Sequence, residues 1–366
     1  MKLTVQKEHL HNAVLAVERI TGRNLPLPVL RCVLLYAEKN ILTVRATNLD
    51  LGIEIKISAD VEEDGVVAVP ADTFSSLLGT LSFSGPIKLH LEGTTITVTT
   101  PKSTTHITTF SHEDFPSLPK LSPKKLFSIS SKNLLDGLKS VWWSASIGSI
   151  KPELSSVYLY HDGGYITCVA TDSFRLAEKK IKADSVDTLE TLLIPLKNIG
   201  EMIRHLDGYD GTVTIHGDVH QIGFVIGDTY ITSRAVEGVF PDYKQILPKE
   251  FSTEMTLLKQ DFVDALKHVR VFSDQFNKLT VAIEKTKKGC LITSSNPETG
   301  EGSVFLDAAI EGDDLEMNFN YAYILDGLQS VGSDSVVVQF AGPGKPTCIR
   351  SVGDKSFLYI VMPMNR

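Results

Sequence analysis

The sequence predicts an α+β protein made of three tandem, similar domains. Three observations carry that expectation. Apolar stripes at helical spacing return after about 124 residues, a period too long for a solenoid and suited to repeated domains. Short runs of alternating polarity lie between them, as in half-buried antiparallel strands. Proline-bearing linkers keep the same beat.

The first helix of each repeat is marked by Leu10, Val14 and Val17, then by Leu134, Leu138 and Val141, then by Phe262, Leu266 and Val269. Three-and-four spacing of this kind buries one face of an amphipathic helix. A second helix follows in each repeat: Phe74, Leu77, Leu78 and Leu81; Ile199, Met202, Ile203 and Leu206; Ile324, Leu328 and Val331. Strands are expected at 53–57, 87–91, 95–99, 157–160, 212–215 and 336–340. Glu92-Gly93, Asp162-Gly163-Gly164, Gly217-Asp218 and Lys288-Gly289 supply turn signals between them.

Strand ends repeat too: Ala46-Thr47-Asn48, Ala170-Thr171-Asp172 and Ser294-Ser295-Asn296 occupy corresponding places. Phe115-Pro116 and Phe240-Pro241 close the first two repeats, each followed by another proline (Pro119, Pro248). Proline lacks the amide donor that a central strand needs, so these are read as linkers. Boundaries are expected near Leu121 and Leu247, giving domains 1–121, 122–247 and 248–366. Two helices against many strands, three times over, is an α+β layer arrangement. Laid in an arc, such domains leave open sheet edges at both ends, and head-to-tail closure removes both at once.

Composition bounds the function. Of 366 residues, 42% are apolar and 22% charged, which describes a globular chain rather than a disordered one. A formal net charge of -8 excludes a simple polycationic nucleic-acid binder, though not a local basic surface. Cys32, Cys168, Cys290 and Cys348 lie far apart without a CxxC pair, as expected of buried reduced thiols. No secretory apolar segment or spanning stretch is read, so a cytoplasmic protein is expected.

No catalytic constellation stands out. Gly342-Pro343-Gly344-Lys345-Pro346 has the wrong spacing for a phosphate loop and carries Pro where Ser or Thr belongs, so it reads as a strand-end turn. His9 and His11 point apart on a helix, and His216 and His220 flank a turn. Glu62-Glu63-Asp64 and Asp313-Asp314 read as acidic turns. Neither a metal nor another cofactor is expected. The loop at Thr171-Asp172-Ser173-Phe174-Arg175 has two readings: a strand-turn-strand with Arg175 paired to a nearby carboxylate, or the rim of a partner pocket, where aromatics and Arg are enriched. The apolar run from Phe357 to Met364 is unlike a frayed end and must be tied into a sheet. Met362 and Met364 around Pro363 suit an adaptable peptide groove.

Six segments resemble one family in order along the whole chain: Met1-Lys2-Leu3-Thr4-Val5; Gly22-Arg23 to Leu27-Pro28-Val29-Leu30; Ala170-Thr171-Asp172 with Arg175-Leu176-Ala177; Phe240-Pro241-Asp242-Tyr243; Ser295-Asn296-Pro297-Glu298; and Val361-Met362-Pro363-Met364. They are similar to the beta subunits of bacterial DNA polymerase III, the sliding-clamp family.

The resemblance implies a head-to-tail homodimeric ring around duplex DNA, with helices lining the hole and sheets forming the outer wall. It implies a non-catalytic processivity factor that tethers the polymerase and is opened by an ATP-driven clamp loader. Tethering raises effective concentration, and a topological link needs no salt-sensitive grip on phosphates. DNA-facing candidates are Arg23, Lys132, Lys139, Lys197 and Arg204, with Lys259 and Lys267 beside them. The family's partner-peptide pocket matches Leu154, Thr171, Arg175, Leu176, Pro241, Phe276, Asn320 and Tyr323, together with Val361, Met362, Pro363 and Met364. Ile246 and Ile360 keep its apolar character, Ser173-Phe174 departs from the usual Gly-His, and Gln245 replaces a usual basic residue. The dimer contact resembles the family's at Thr105 and Ile107 on one side and Val271 and Phe272 on the other. A scaffold of the same fold that never loads on DNA is the alternative, and an enzyme using the Asp172–Arg175 loop is a third reading.

Overall fold

Six apolar stripes become six α-helices, each buried where the sequence is apolar. The structure, a computed structural model, describes residues 1–22, 27–118, 125–187, 191–217 and 220–364. Helix α1 (Lys7–Glu18) buries Leu10, Ala13, Val14 and Val17, and α2 (Ala71–Thr80) buries Phe74 and Leu78. Helices α3 (Ser131–Val141) and α4 (Leu196–Leu206) bury Leu134, Leu138 and Val141, and Ile199, Met202 and Leu206. Helix α5 (Lys259–Val269) buries Phe262, Leu266 and Val269, and α6 (Tyr321–Gln329) buries Ile324 and Leu328. Each such side chain contributes about 1.5–3 kcal/mol by leaving water. Leu81 and Val331, read as helical, follow the last turns of α2 and α6. Asn320 caps α6, its side chain accepting the Ala322 amide at 2.9 Å.

The chain divides into two compact units. The first holds Met1–Ser131, Asp184–Thr188 and Arg204–Ala235; the second holds Lys132–Ala183, Leu189–Ile203 and Val236–Arg366. Of the two expected boundaries, Leu121 lies outside the described residues, and Leu247 follows the short 3-10 turn Tyr243–Ile246.

In the first unit a thirteen-stranded sheet runs from Ser185–Val186 through Thr229–Arg234, Leu51–Glu63 and Lys2–Gln6 to Thr104–Thr108. The Leu51–Glu63 strand is long enough to pair with three others, with Ile41–Thr47 along most of its length, with Thr229–Arg234 at its start and with Lys2–Gln6 at its far end. That last pairing corrects one expectation. Glu62 and Glu63 are strand residues rather than a turn, and Lys2 Nζ lies 2.5 Å from the Glu62 carboxylate. Their acidity reflects an exposed strand end matched to a basic neighbour.

In the second unit a nine-stranded antiparallel sheet places Phe357–Val361 between Arg175–Lys182 and Thr347–Ser351, so the apolar tail is tied in as expected. A four-stranded sheet runs Gly300–Asp307, Gly289–Asn296, Lys278–Glu284, Leu315–Asn320. Gly342 and Gly344, at φ of 115° and 72°, make the turn between Ser335–Phe340 and Thr347–Ser351, a backbone that glycine adopts without strain. All four cysteines are buried and unpaired, and burial pushes the Cys168 thiol up to about 12. Among the described residues, no helix is long and apolar enough to cross a membrane.

The repeat extends to individual hydrogen bonds. In the first unit Thr47 Oγ1 donates to the Leu51 carbonyl at 3.0 Å, and Asn48 Oδ1 accepts the Asp50 and Leu51 amides. In the second unit Thr171 Oγ1 donates to the Arg175 carbonyl at 2.6 Å, and Asp172 Oδ1 accepts the Phe174 and Arg175 amides. Leu49 and Ser173 take the same left-handed backbone, at φ of 76° and 78°. Even the capping bond returns: the Arg234 amide donates to the Asp50 carbonyl, and the Met362 amide to that of Phe174.

Candidate partner-binding site

Four segments of the second unit converge on Arg175: the Thr171–Arg175 turn, Trp142–Ser144, helix α6 and the Phe357–Val361 strand. The Arg175 Nε donates to Asp172 at 3.0 Å, its Nη1 to Asp326, and its Nη2 to the Trp143 carbonyl at 2.8 Å. Its guanidinium lies 4.5 Å from the Tyr323 ring centroid and 5.5 Å from that of Trp143. Charge-assisted bonds and stacking offset the desolvation of a side chain only 12% exposed. The carboxylate-paired reading of this arginine is therefore the geometry observed, although the partner is supplied by α6 as well as by the turn.

Packing fixes the surroundings. Trp143 and Tyr359 have ring centroids 5.2 Å apart, and the Tyr359 hydroxyl donates to the Tyr323 carbonyl at 2.7 Å. Burial raises the Tyr359 pKa well above the ordinary phenol value. A methyl at Gly327 would meet Tyr359 Cδ1 at 2.3 Å, so α6 approaches that ring only because position 327 carries no side chain.

Around this core the C-terminal segment lies along the surface. Val361 pairs with Arg175 and Ile360 with Leu176, and all three apolar side chains are buried. Beyond the strand the Met362 amide donates to the Phe174 carbonyl and the Met364 amide to that of Asn318, both at 2.8 Å. Met362, Pro363 and Met364 are partly exposed, and Phe174 is 61% exposed on a backbone bonded at both ends. Asn320 Nδ2 donates to the Phe276 carbonyl at 3.3 Å, and the Phe276 ring is 60% exposed. Leu154 is buried where its carbonyl accepts the Ser146 amide. Pro241 and Ile246 are exposed and flank Tyr243.

The other candidates lie on helices and at sheet edges. Lys132 and Lys139 stand two turns apart on α3, and Lys197 and Arg204 two turns apart on α4; all four are exposed, opposite the buried stripes. Arg23 lies outside the described residues. Lys267 is exposed and 3.3 Å from Asp264, whereas Lys259 turns inward and donates to the Val331 carbonyl at 2.8 Å. Thr105 and Ile107 belong to Thr104–Thr108, an edge strand, and Ile107 is only 6% exposed. Val271 is 67% exposed in the 3-10 turn Arg270–Phe272, whose Phe272 ring lies against Gly302 of another edge strand. Sequence reasoning missed Trp143, Asp326, Tyr243 and Glu178; the Asp326 partnership with Arg175 has no local signal.

Family models for the DNA polymerase III beta subunit match end to end: its N-terminal domain at residues 1–119, its central domain at 128–242 and its C-terminal domain at 244–365. The chain belongs to the DNA polymerase III beta subunit family. Curated beta sliding clamps of Vibrio cholerae and Escherichia coli K12 are each 27% identical to this beta-family chain, over 100% of both partners. Among solved structures, the Pseudomonas aeruginosa DNA polymerase III subunit beta superposes with a TM-score of 0.95 at 27% identity, covering 100% of each chain. A Pseudomonas aeruginosa sliding clamp bound to griselimycin gives 0.95 at 26%, again over 100% of each chain. The Bacillus subtilis clamp, at 23% identity, 0.96 and 100% and 99% coverage, shares the fold of this beta-family chain.

Proposed function

We propose that two copies of this chain join head-to-tail into a ring around duplex DNA and tether the replicative polymerase to it as a sliding clamp. The observation that carries this is the run of three clamp domain matches through residues 1–365 without an intervening foreign segment. The domains are taken as 1–121, 122–247 and 248–366. Two open strand edges support the assembly: Thr104–Thr108 in the first unit and Gly300–Asp307 in the second each have one paired neighbour among the described residues. Edge-to-edge pairing between copies satisfies both and places Thr105 and Ile107 opposite the Val271–Phe272 turn.

Within the ring, Lys132, Lys139, Lys197, Arg204 and Arg23 supply weak, sequence-blind attraction to phosphates, while threading keeps the protein on DNA. The clamp is non-catalytic and works in the cytoplasm. The polymerase catalytic subunit, the clamp loader and other clamp-binding proteins insert short peptides at the site around Phe174, Arg175 and Met362–Met364. Griselimycin in the Pseudomonas aeruginosa clamp supports a ligandable surface in the family.

Capture on circular DNA tests the reading. Protein loaded by a clamp loader onto a closed plasmid should co-elute with it, and cutting the plasmid once should release it. Retention after linearisation, or no capture at all, contradicts encirclement.

A further inference from the structure

A buried polar network lies behind the peptide site, and the first repeat lacks it. The Tyr243 hydroxyl donates to Glu178 Oε2, and the Tyr160 and Tyr243 hydroxyls are 2.8 Å apart. Tyr243 is 5% exposed, Glu178 8% and Tyr160 9%. Glu178 belongs to the Arg175–Lys182 strand, two residues beyond Leu176, and Tyr243 begins the 3-10 turn that ends at Ile246. Tyr243 shares one apolar cluster with Leu176, Ile360 and Phe240. Phe240 in turn stacks on Tyr158 at 4.6 Å, with the planes 8° apart. The segment bearing Pro241 and Ile246 is thus pinned to the Ser156–Asp162 strand by a ring stack and to the strand bearing Arg175 and Leu176 by a hydrogen bond.

The first repeat serves as an internal control. Its linker reads Phe115-Pro116-Ser117-Leu118, so Leu118 stands in the register of Tyr243. There Leu118 packs directly over Gly52, where an added methyl would meet its Cδ2 at 2.3 Å. Glu54, in the register of Glu178, accepts instead from Arg45 Nε at 3.0 Å on the neighbouring strand. Both acids are satisfied, but only Glu178 reaches across to a linker. Its partner adds no apolar area that Leu would not add; it adds direction, since a hydrogen bond fixes geometry where apolar contact permits sliding.

We propose that Tyr243 and Glu178 are positioning residues, whose hydrogen bond, backed by Tyr160, holds the 240–247 segment so that Pro241 and Ile246 form a fixed apolar wall for the partner peptide. This rests on the peptide-site reading above. Preorganising such a wall removes an ordering cost from binding and slows dissociation.

Griselimycin serves as the probe, with full-length protein throughout. Tyr243→Phe should weaken binding about tenfold, mainly through faster dissociation. Glu178→Gln keeps an acceptor oxygen and should bind within about twofold of the parent. The double variant Tyr243→Phe/Glu178→Leu removes both polar partners, so it should unfold near the parent temperature yet still bind about tenfold more weakly. Its backbone amides at positions 243 and 245 should exchange with deuterium at least about tenfold faster than in the parent. Parent-like affinity and exchange in the double variant would overturn the proposal and leave the network a purely structural one. Failure of the parent itself to bind griselimycin counts against the peptide site, and the exchange measurement then decides the positioning role alone.

Discussion

Arg175 shows how a single residue resolves two readings of one loop. Its guanidinium is spent inward, on Asp172, Asp326 and the Trp143 carbonyl, between two aromatic rings. Lysine carries its donors on one atom and cannot span those three acceptors. Arg175→Lys should therefore cost about 2–3 kcal/mol of stability, seen as a lower urea midpoint at unchanged slope. An unchanged midpoint would mean that the cluster contributes nothing net. The Asp172 half of this arrangement is legible in the sequence, because the two residues share a turn. The Asp326 half is not, since α6 is distant along the chain and only folding brings it near. The same holds for Glu178 and Tyr243, and for Lys259, whose inward bond to Val331 removes a cation that its helix position suggested.

At the scale of elements, periodicity reads well because each helix buries one stripe and each strand alternates. The Thr47 and Thr171 turns were legible as a rhyme, and the shared φ near 76–78° gives its cause: the same side-chain bonds stabilise a left-handed residue in both. Glu62 and Glu63 were misread because charge marks exposed strand ends as readily as turns. The C-terminal segment is an element of its own, held by two backbone bonds beyond the last strand. Deleting Met362–Arg366 spares the strand and removes the thioethers and the Phe174 contact. That truncation should abolish griselimycin binding in calorimetry without changing the sedimentation coefficient, and undiminished binding would move the peptide site elsewhere.

For the whole molecule, the tandem period and the family were legible in the sequence, while the turn per domain was not, because it depends on packing between domains rather than within them. Val271 tests the assembly cleanly, being 67% exposed and dispensable to the core. Val271→Asp should convert a dimer into monomers in sedimentation at micromolar concentration, with an unchanged far-ultraviolet circular dichroism spectrum. A persistent dimer would place the contact away from this turn.

The central place of Phe357–Val361 in its sheet also sets an order of events during synthesis. Arg175–Lys182 waits for its neighbour while the ribosome adds the intervening chain, about ten to forty seconds at ordinary elongation rates. Leu51–Glu63 meets Thr229–Arg234 after a comparable interval. Each unit therefore carries an unmated ribbon through a long stretch of synthesis, the second closing after the first, and termination upstream of Phe357 leaves that later ribbon exposed.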